Sequence, residues 1–325
     1  MTTPAVALLK KYLPDASLTY VVEEPWRRLV QGNPDLARVI SVPAKQKLLQ
    51  FIAFLREFRR ERYDVLLDFH GGPRAAWICL FSGARTKIGY EIKYRKFLYD
   101  IRVPRGNKEG PVHSVENHAN LVRALGFNFE KADIPPLVVP DPSEEEAARV
   151  RALLKKAETE GAKLVVLHIG AGNRFRDWGV DQLAPLLGLL SALPGVKPVL
   201  VGTEADQETE RRILRAAAGP ILPLSGRLSL PELKFVIGRA ALFIGPDSGP
   251  MHIAASTQTP IVACFGPTLP AHFGPWRPNG APVVIVEQNL PCRPCRQREC
   301  VSGDFRCLRS IPPQAVFDAG RTFLI

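Results

Sequence analysis

Residues 243–255 read Phe-Ile-Gly-Pro-Asp-Ser-Gly-Pro-Met-His-Ile-Ala-Ala. The apolar run ending at Gly245-Pro246 has the character of a buried strand. A turn of small residues follows and opens an Ala-rich helix. Asp247 and Ser248 are residue types whose side-chain oxygens accept the free N–H groups of a first helical turn. The remaining first-turn N–H groups and the helix dipole favour an anion, such as a phosphate, beyond the strand end. His252 falls in the first turn, where a ring N–H adds one more donor. A plain capped strand–helix junction accounts for Asp-Ser-Gly as readily, so the reading turns on what else the chain supplies.

Two further junctions have the same form. Val165-Val166-Leu167-His168-Ile169 runs into Gly170-Ala171-Gly172-Asn173-Arg174-Phe175-Arg176, and a helix follows from Val180 to Leu190. Gly170 and Gly172 are expected to let backbone approach a ligand without a Cβ in the way. Arg176 supplies a fixed positive charge nearby. The spacing is not the dinucleotide fingerprint G-x-G-x-x-G. Leu200-Val201-Gly202-Thr203-Glu204 is the third such strand end, ahead of a charged helix over 206–217. Three of them predict one edge of a parallel sheet, and ligands bind beyond the carboxyl ends of such strands.

A length of 325 residues accommodates two domains, and 46% apolar residues suffice for a packed core. Lys and Arg number 43 against 32 Asp and Glu, a net charge of +11 that favours anionic partners. No apolar run approaches the roughly 18 residues that span a bilayer. Lys10-Lys11 follows a short apolar stretch, the reverse of a secretory signal, so a cytoplasmic protein is expected.

Strands are predicted at 18–22, 38–42, 64–69, 86–90 and 98–103. Helices are predicted at 5–12, 47–62, 74–81 and 114–125, with another opened by Glu23-Glu24-Pro25. This alternation predicts a doubly wound sheet. Residues 134–142 carry four prolines, cannot be helical, and mark a boundary. Ser143-Glu144-Glu145-Glu146 caps the helix beyond it, and a second strand–helix alternation runs to about residue 286.

These motifs resemble glycosyltransferase family 9, the ADP-heptose:lipopolysaccharide heptosyltransferases of bacteria. The resemblance is carried by Thr2-Thr3-Pro4-Ala5, Val21-Val22-Glu23-Glu24, Tyr63-Asp64-Val65-Leu66-Leu67-Asp68, Leu167 to Gly172 with Trp178, and Gly245 to His252. It implies the GT-B class of α/β fold: two Rossmann-like, doubly wound parallel-sheet domains facing a cleft. Residues 1–140 would form the acceptor-side domain, with its first strand apparently missing. Residues 141–310 would form the nucleotide-sugar domain, and the helix within 311–325 would pack back on the first. The aspartate of a Gly-Asp loop, the family's presumed general base, is expected before Met1, which implies a start upstream.

Position by position, the resemblance places Asp247, Ser248, Gly249 and His252 at the donor pyrophosphate and sugar, and Arg176 at the diphosphate. Ala171 and Gly172, beside Gly170, would serve the phosphates through backbone N–H groups. Leu228 would flank the adenine, and Glu208 matches more loosely a glutamate near the ribose. The alternatives are a helix cap for Asp247, a surface charge for Arg176 and core packing for Leu228. The implied activity is inverting transfer of a heptose or related sugar from an ADP-linked donor to a lipopolysaccharide core or similar glycan. The implied partners are that donor, an anionic glycolipid acceptor and an acidic membrane surface at the inner face of the inner membrane. Arg74, Lys87, Lys93, Arg95 and Lys96 suit such an acceptor, or simply form a solvated basic face. No Asp-x-Asp is placed to hold a metal–diphosphate, so the chemistry is expected to need no cofactor.

Cys292, Cys295, Cys300 and Cys307 form C-x2-C-x4-C-x6-C. In a cytosolic chain this pattern suits structural zinc, an iron–sulfur centre, or free or redox-linked thiols. Cys79 and Cys264 lie in apolar runs as core residues. Two other readings remain open at this point: a non-catalytic nucleotide- or glycan-binding protein of the same fold, and a metal-stapled nucleic-acid module. Arginines around the cysteines would favour the latter, but the resemblance makes nucleic acid unnecessary and none is expected.

Overall fold

A strand that is apolar on both faces needs cover on both sides, which a parallel sheet with crossover helices provides. The computed structural model meets that demand in two units, Met1–Val138 and Val139–Ile325. It describes residues 1–45, 47–106, 110–157 and 159–325.

The first unit opens with α1 (Thr3–Tyr12), started by Pro4 in its first turn and burying Ala5, Val6, Leu8 and Leu9. β1 (Thr19–Glu23) and β2 (Arg38–Val42) pair in parallel. α2 (Leu48–Arg60) leads to β3 (Val65–Asp68), α3 (Pro73–Phe81), β4 (Thr86–Tyr90) and β5 (Ile101–Val103). α4 (Ser114–Arg123) packs on α1. The expected single sheet is two ladders, β1-β2 and β3-β4-β5. Thr2 Oγ1 and Tyr20 Oη, 2.6 Å apart, tie the start of α1 to β1. The helix expected at Glu23-Glu24-Pro25 is one 3-10 stretch, Glu24–Leu29. The strand expected at 98–103 begins only at Ile101, because Lys96–Leu98 forms a 3-10 turn.

At the end of β3, buried Asp68 accepts hydrogen bonds from the His70 and Gly71 N–H groups (2.9 and 2.8 Å) and from the Tyr99 hydroxyl (2.6 Å). Its carboxylate thereby shapes the loop into α3. Gly71 is required there: its φ is +67°, and a Cβ would sit 2.4 Å from Ile92 Cδ1.

The second unit begins with α5 (Glu144–Lys156). The Ser143 hydroxyl accepts from the Glu146 N–H, and the Glu146 carboxylate accepts from the Ser143 N–H, so the expected cap takes the form of a capping box. Next come β6 (Lys163–His168), α6 (Val180–Ser191), β7 (Val196–Val201), α7 (Gln207–Ala216), β8 (Leu222–Pro223) and α8 (Leu230–Ile237). β9 (Leu242–Pro246), α9 (Gly249–Ala255), β10 (Ile261–Phe265), α10 (Pro270–Phe273) and β11 (Val283–Glu287) follow. α11 (Arg306–Arg309) and α12 (Pro313–Arg321) close the chain. All strands are parallel, in the order β11-β10-β9-β6-β7-β8. The chain departs from β6 toward β7 on one side and from β9 toward β10 on the other. The gap between the ends of β6 and β9 is therefore the topological switch point, the ligand position in open α/β sheets.

The helix expected to reach back to the first domain is seated in the second unit's own core. Ile311, Val316 and Leu324 are buried there with Leu187, Leu242 and Val262. Gly320 lets α12 lie close, since a Cβ would come 2.6 Å from Leu242 Cδ2. Truncating Ile311 to Ala is expected to cost about 2–5 kcal/mol, the range for large-to-small changes in a core. Denaturant unfolding measures this, and a loss well under about 1 kcal/mol would remove the segment from the core.

Candidate active site

The loop after β6 and the turn after β9 leave the same sheet edge from neighbouring strands. Asp247, at that turn, is buried. Its Oδ2 accepts from the Thr268 hydroxyl at 2.6 Å and lies 3.4 Å from Arg176 Nη1. The same Nη1 donates to the Asp247 carbonyl at 3.3 Å. Burial pushes the Asp247 carboxyl up from its ordinary range, while Thr268 and the Arg176 charge pull the other way. Arg176 Nε donates to Gln297 Oε1 at 2.9 Å, and that oxygen also accepts from Asn173 Nδ2 at 2.9 Å. The guanidinium is thus fixed from two sides and remains partly exposed.

Ser248 and Asp247 do not cap α9 as the sequence suggests. Ser248 Oγ instead donates to the Pro246 carbonyl at 3.1 Å and lies 3.0 Å from His168 Nδ1. Burial lowers the His168 pKa to about 4, opposed by Asp206. The imidazole is neutral near pH 7 and holds Ser248 against the end of β6. Asp247 is similarly engaged elsewhere, by Arg176 and Thr268. Gly249 opens α9 with nothing within 4 Å of where a Cβ would stand, and His252 lies one turn along.

The two glycines after β6 serve different ends. A Cβ on Gly170 would sit 2.4 Å from Asp206 Oδ1. Its role is therefore to admit Asp206, which accepts from the Thr203 N–H and hydroxyl, both at 2.7 Å. Gly172 has φ +61° and open space around its missing Cβ, so its backbone is the approachable one. Ala171 is half-buried beside it. Glu208 is exposed and pairs along α7 with Arg211 (2.7 Å) and Arg215 (3.9 Å), not with Arg176. Leu228 is half-buried just ahead of α8.

The sequence profile of glycosyltransferase family 9 (heptosyltransferase) matches residues 51–305. The chain belongs to glycosyltransferase family 9. It is 26% identical over 295 residues to lipopolysaccharide heptosyltransferase 3 of Escherichia coli, covering 86% of this chain and 83% of that protein. The crystal structure of a family 9 glycosyl transferase from Veillonella parvula superposes with a TM-score of 0.86 at 22% identity, over 99% of this chain and 92% of that one. The E. coli ADP-heptose heptosyltransferase II superposes at 0.76 with 22% identity, over 99% and 94%. This protein is a glycosyltransferase of the GT-B fold class.

The cysteine segment is the part of this family 9 chain that the sequence reading assigned differently. All four cysteines are free thiols and line one cavity of about 30 Å³ with Phe175, Pro267 and Phe305. Among the described residues, no group of three or more His, Cys, Asp or Glu is arranged to hold a metal ion. The zinc or iron–sulfur centre expected at Cys292, Cys295, Cys300 and Cys307 is unsupported. Cys300 Sγ accepts from the Phe305 N–H at 3.4 Å. The segment grips the site directly. The Cys295 N–H donates to the Pro267 carbonyl, Arg293 Nη2 to the Thr268 carbonyl (both 3.0 Å), and Gln297 holds Arg176. Sequence reading missed Gln297, because an uncharged residue among arginines carries no local signal of a contact 121 positions away.

Stability is expected to fall on mild acidification. The unfolded His168 takes a proton as pH drops below its ordinary 6.5, whereas the folded one resists until about 4. Between pH 7.5 and 4.5 that difference removes about 2–3 kcal/mol, and none above pH 7.5. Denaturant midpoints at both pH values should show a smaller drop for His168→Gln than for the unaltered protein. Equal drops would show that the buried imidazole is not the titrating group.

Proposed function

We propose that this protein transfers a heptose from an ADP-linked donor to a lipopolysaccharide core or similar anionic glycan, with inversion at the anomeric carbon. Membership of family 9 supports the class of reaction, and the relatives' names support sugar and acceptor. The observation that carries the site assignment is Arg176, held by Asp247 and Gln297 at the sheet's switch point.

In this reading the acceptor hydroxyl attacks the anomeric carbon as ADP departs on the opposite face. Charge grows on the departing diphosphate. Arg176, His252 and the backbone N–H groups around Ala171-Gly172 and Ser248-Gly249 stabilise it, an electrostatic contribution available without rearrangement. Asp247 acts as a positioning residue: an unpaired carboxylate would repel the diphosphate, and its negative charge is matched to Arg176 instead. Leu228 and Glu208 are assigned to the adenine and ribose. Asp68 is not assigned as the base, because its carboxylate already accepts from the His70 and Gly71 N–H groups of its loop and from the Tyr99 hydroxyl. Lys87, Lys93, Arg95 and Lys96 are assigned to the anionic acceptor. Arg74 is not, because its guanidinium donates to the Pro43 and Ala44 carbonyls (2.6 and 3.2 Å). An acceptor of this kind places the enzyme at the inner face of the bacterial inner membrane.

Release of ADP from ADP-heptose in the presence of an acyl-free core oligosaccharide tests the activity. Arg176→Ala should weaken ADP binding about 10- to 100-fold, the scale of a charge-assisted contact. Gln297→Ala should weaken it about 3- to 10-fold with little change in thermal midpoint, since it frees the guanidinium and the Asn173 amide at a partly exposed position. Calorimetric titration with ADP reads both, and an Arg176→Ala protein with undiminished affinity would sink the assignment.

A further inference from the structure

The first unit exposes aromatic side chains that its own core does not need. On α3, Ala76 and Cys79 face inward, while Trp77, Leu80 and Phe81 form an exposed i, i+3, i+4 stripe. The Trp77 and Phe81 rings stack 5.7 Å apart and nearly parallel. α3 packs against the Lys96–Leu98 turn, which raises Phe97, 71% exposed, on the buried Leu98 and Tyr99. Tyr94 is 78% exposed and held at φ +69°, a conformation that bulky residues adopt only at a cost. Exposed large apolar side chains on two elements that pack together mark a surface for contact.

The charge around it specifies the partner. Residues 73–102 carry seven Lys and Arg against two acids, Glu91 and Asp100. Both acids are already opposed, by Lys96 at 3.3 Å and Lys87 at 3.9 Å. The Lys93 ammonium lies 5.0 Å from the Tyr94 ring. A second copy of this chain would bring the same positive charge and be repelled. An anionic lipid surface is complementary. Aromatic rings settle at headgroup depth, and Lys and Arg are drawn to acidic lipids. No helix of the described residues is long and apolar enough to cross a membrane, so the contact would be with its surface.

We propose that the face formed by Trp77, Leu80 and Phe81 with Tyr94 and Phe97 docks the protein on an anionic lipid bilayer. This deepens the proposed function, resting on its membrane-anchored acceptor. The docking presents the neighbouring basic residues to the headgroup layer where such an acceptor lies.

Cosedimentation of the full chain with vesicles tests it, using phosphatidylcholine alone and an equal mixture with phosphatidylglycerol. The protein is expected to bind the mixed vesicles, more weakly as salt rises, and to bind the neutral ones poorly. The double variant Trp77→Ser/Phe81→Ser should lose about tenfold or more in vesicle affinity, because the apolar area that inserts is removed. Its thermal midpoint and its turnover of acyl-free acceptor should be unchanged. Should that variant fail to fold, Phe97→Ser carries the same test. No binding by the unaltered protein, equal binding to neutral vesicles, or undiminished binding by the variants would overturn the docking surface. So would a dimer that these variants disrupt in the absence of lipid binding. Absent turnover with vesicle binding retained would overturn the heptose reading and leave the docking intact.

Discussion

A carboxylate buried at the end of a parallel sheet must find donors or take up a proton, and Asp247 finds two. Thr268 comes from the loop after β10 and Arg176 from the loop after β6, while Asp247 itself follows β9. One side chain thus ties together three strand ends on both sides of the switch point. The pairing works in both directions. Arg176 lowers the cost of burying the carboxylate, and the carboxylate fixes a cation that would otherwise sample many rotamers at the surface. Gln297 completes the arrangement, because its single oxygen accepts from Arg176 and from Asn173 in the same loop. A planar guanidinium held at Nε and at Nη1 retains donors for an incoming anion, which a lysine at this position would not orient.

What was legible in the sequence follows from how local its causes are. The second unit's strands announced themselves, since β6, β9 and β10 are buried on both faces and read as unbroken apolar runs. Ser143 capped α5 as expected, because a capping box needs only four neighbouring residues. The first unit was less legible. Its strands are short and half-buried, and which strand pairs with which depends on the edges available rather than on alternation. Site residues divided along the same line. Arg176 and Asp247 were singled out by the strand–turn–helix pattern. Their partnership, the diversion of Ser248 to His168 and the filling of Gly170's missing Cβ by Asp206 are tertiary facts without local trace.

The cysteine segment is tied to its surroundings by contacts that involve no metal. The backbone between residues 292 and 307 has several partners of its own. It donates to Pro267, packs Phe305 edge-on against Phe175 at 5.5 Å, and delivers Gln297 to Arg176. A segment bound at several places to the loops beside it is already ordered by those contacts. One of its arginines is likewise engaged: Arg293 reaches the Thr268 carbonyl and the Glu287 carboxylate (2.6 Å). A nucleic-acid reading needs such charges free, and the most buried of them is not.

The two positively charged regions therefore have different physical designs. Arg176 is held by a buried acid and an amide, so its direction is fixed and its charge is partly answered, which suits recognition of one diphosphate in one orientation. Lys93, Arg95 and Lys96 stand among exposed aromatic rings, with Lys96 in an exposed pair with Glu91 at 3.3 Å, and affinity for an anionic surface would grow with the number of charges near it. Ordered charge selects a particular anion, and dispersed charge among apolar side chains selects a negatively charged plane. The proposed transfer, from a soluble donor to an acceptor in a lipid layer, would call on both kinds, the first in the second unit and the second in the first.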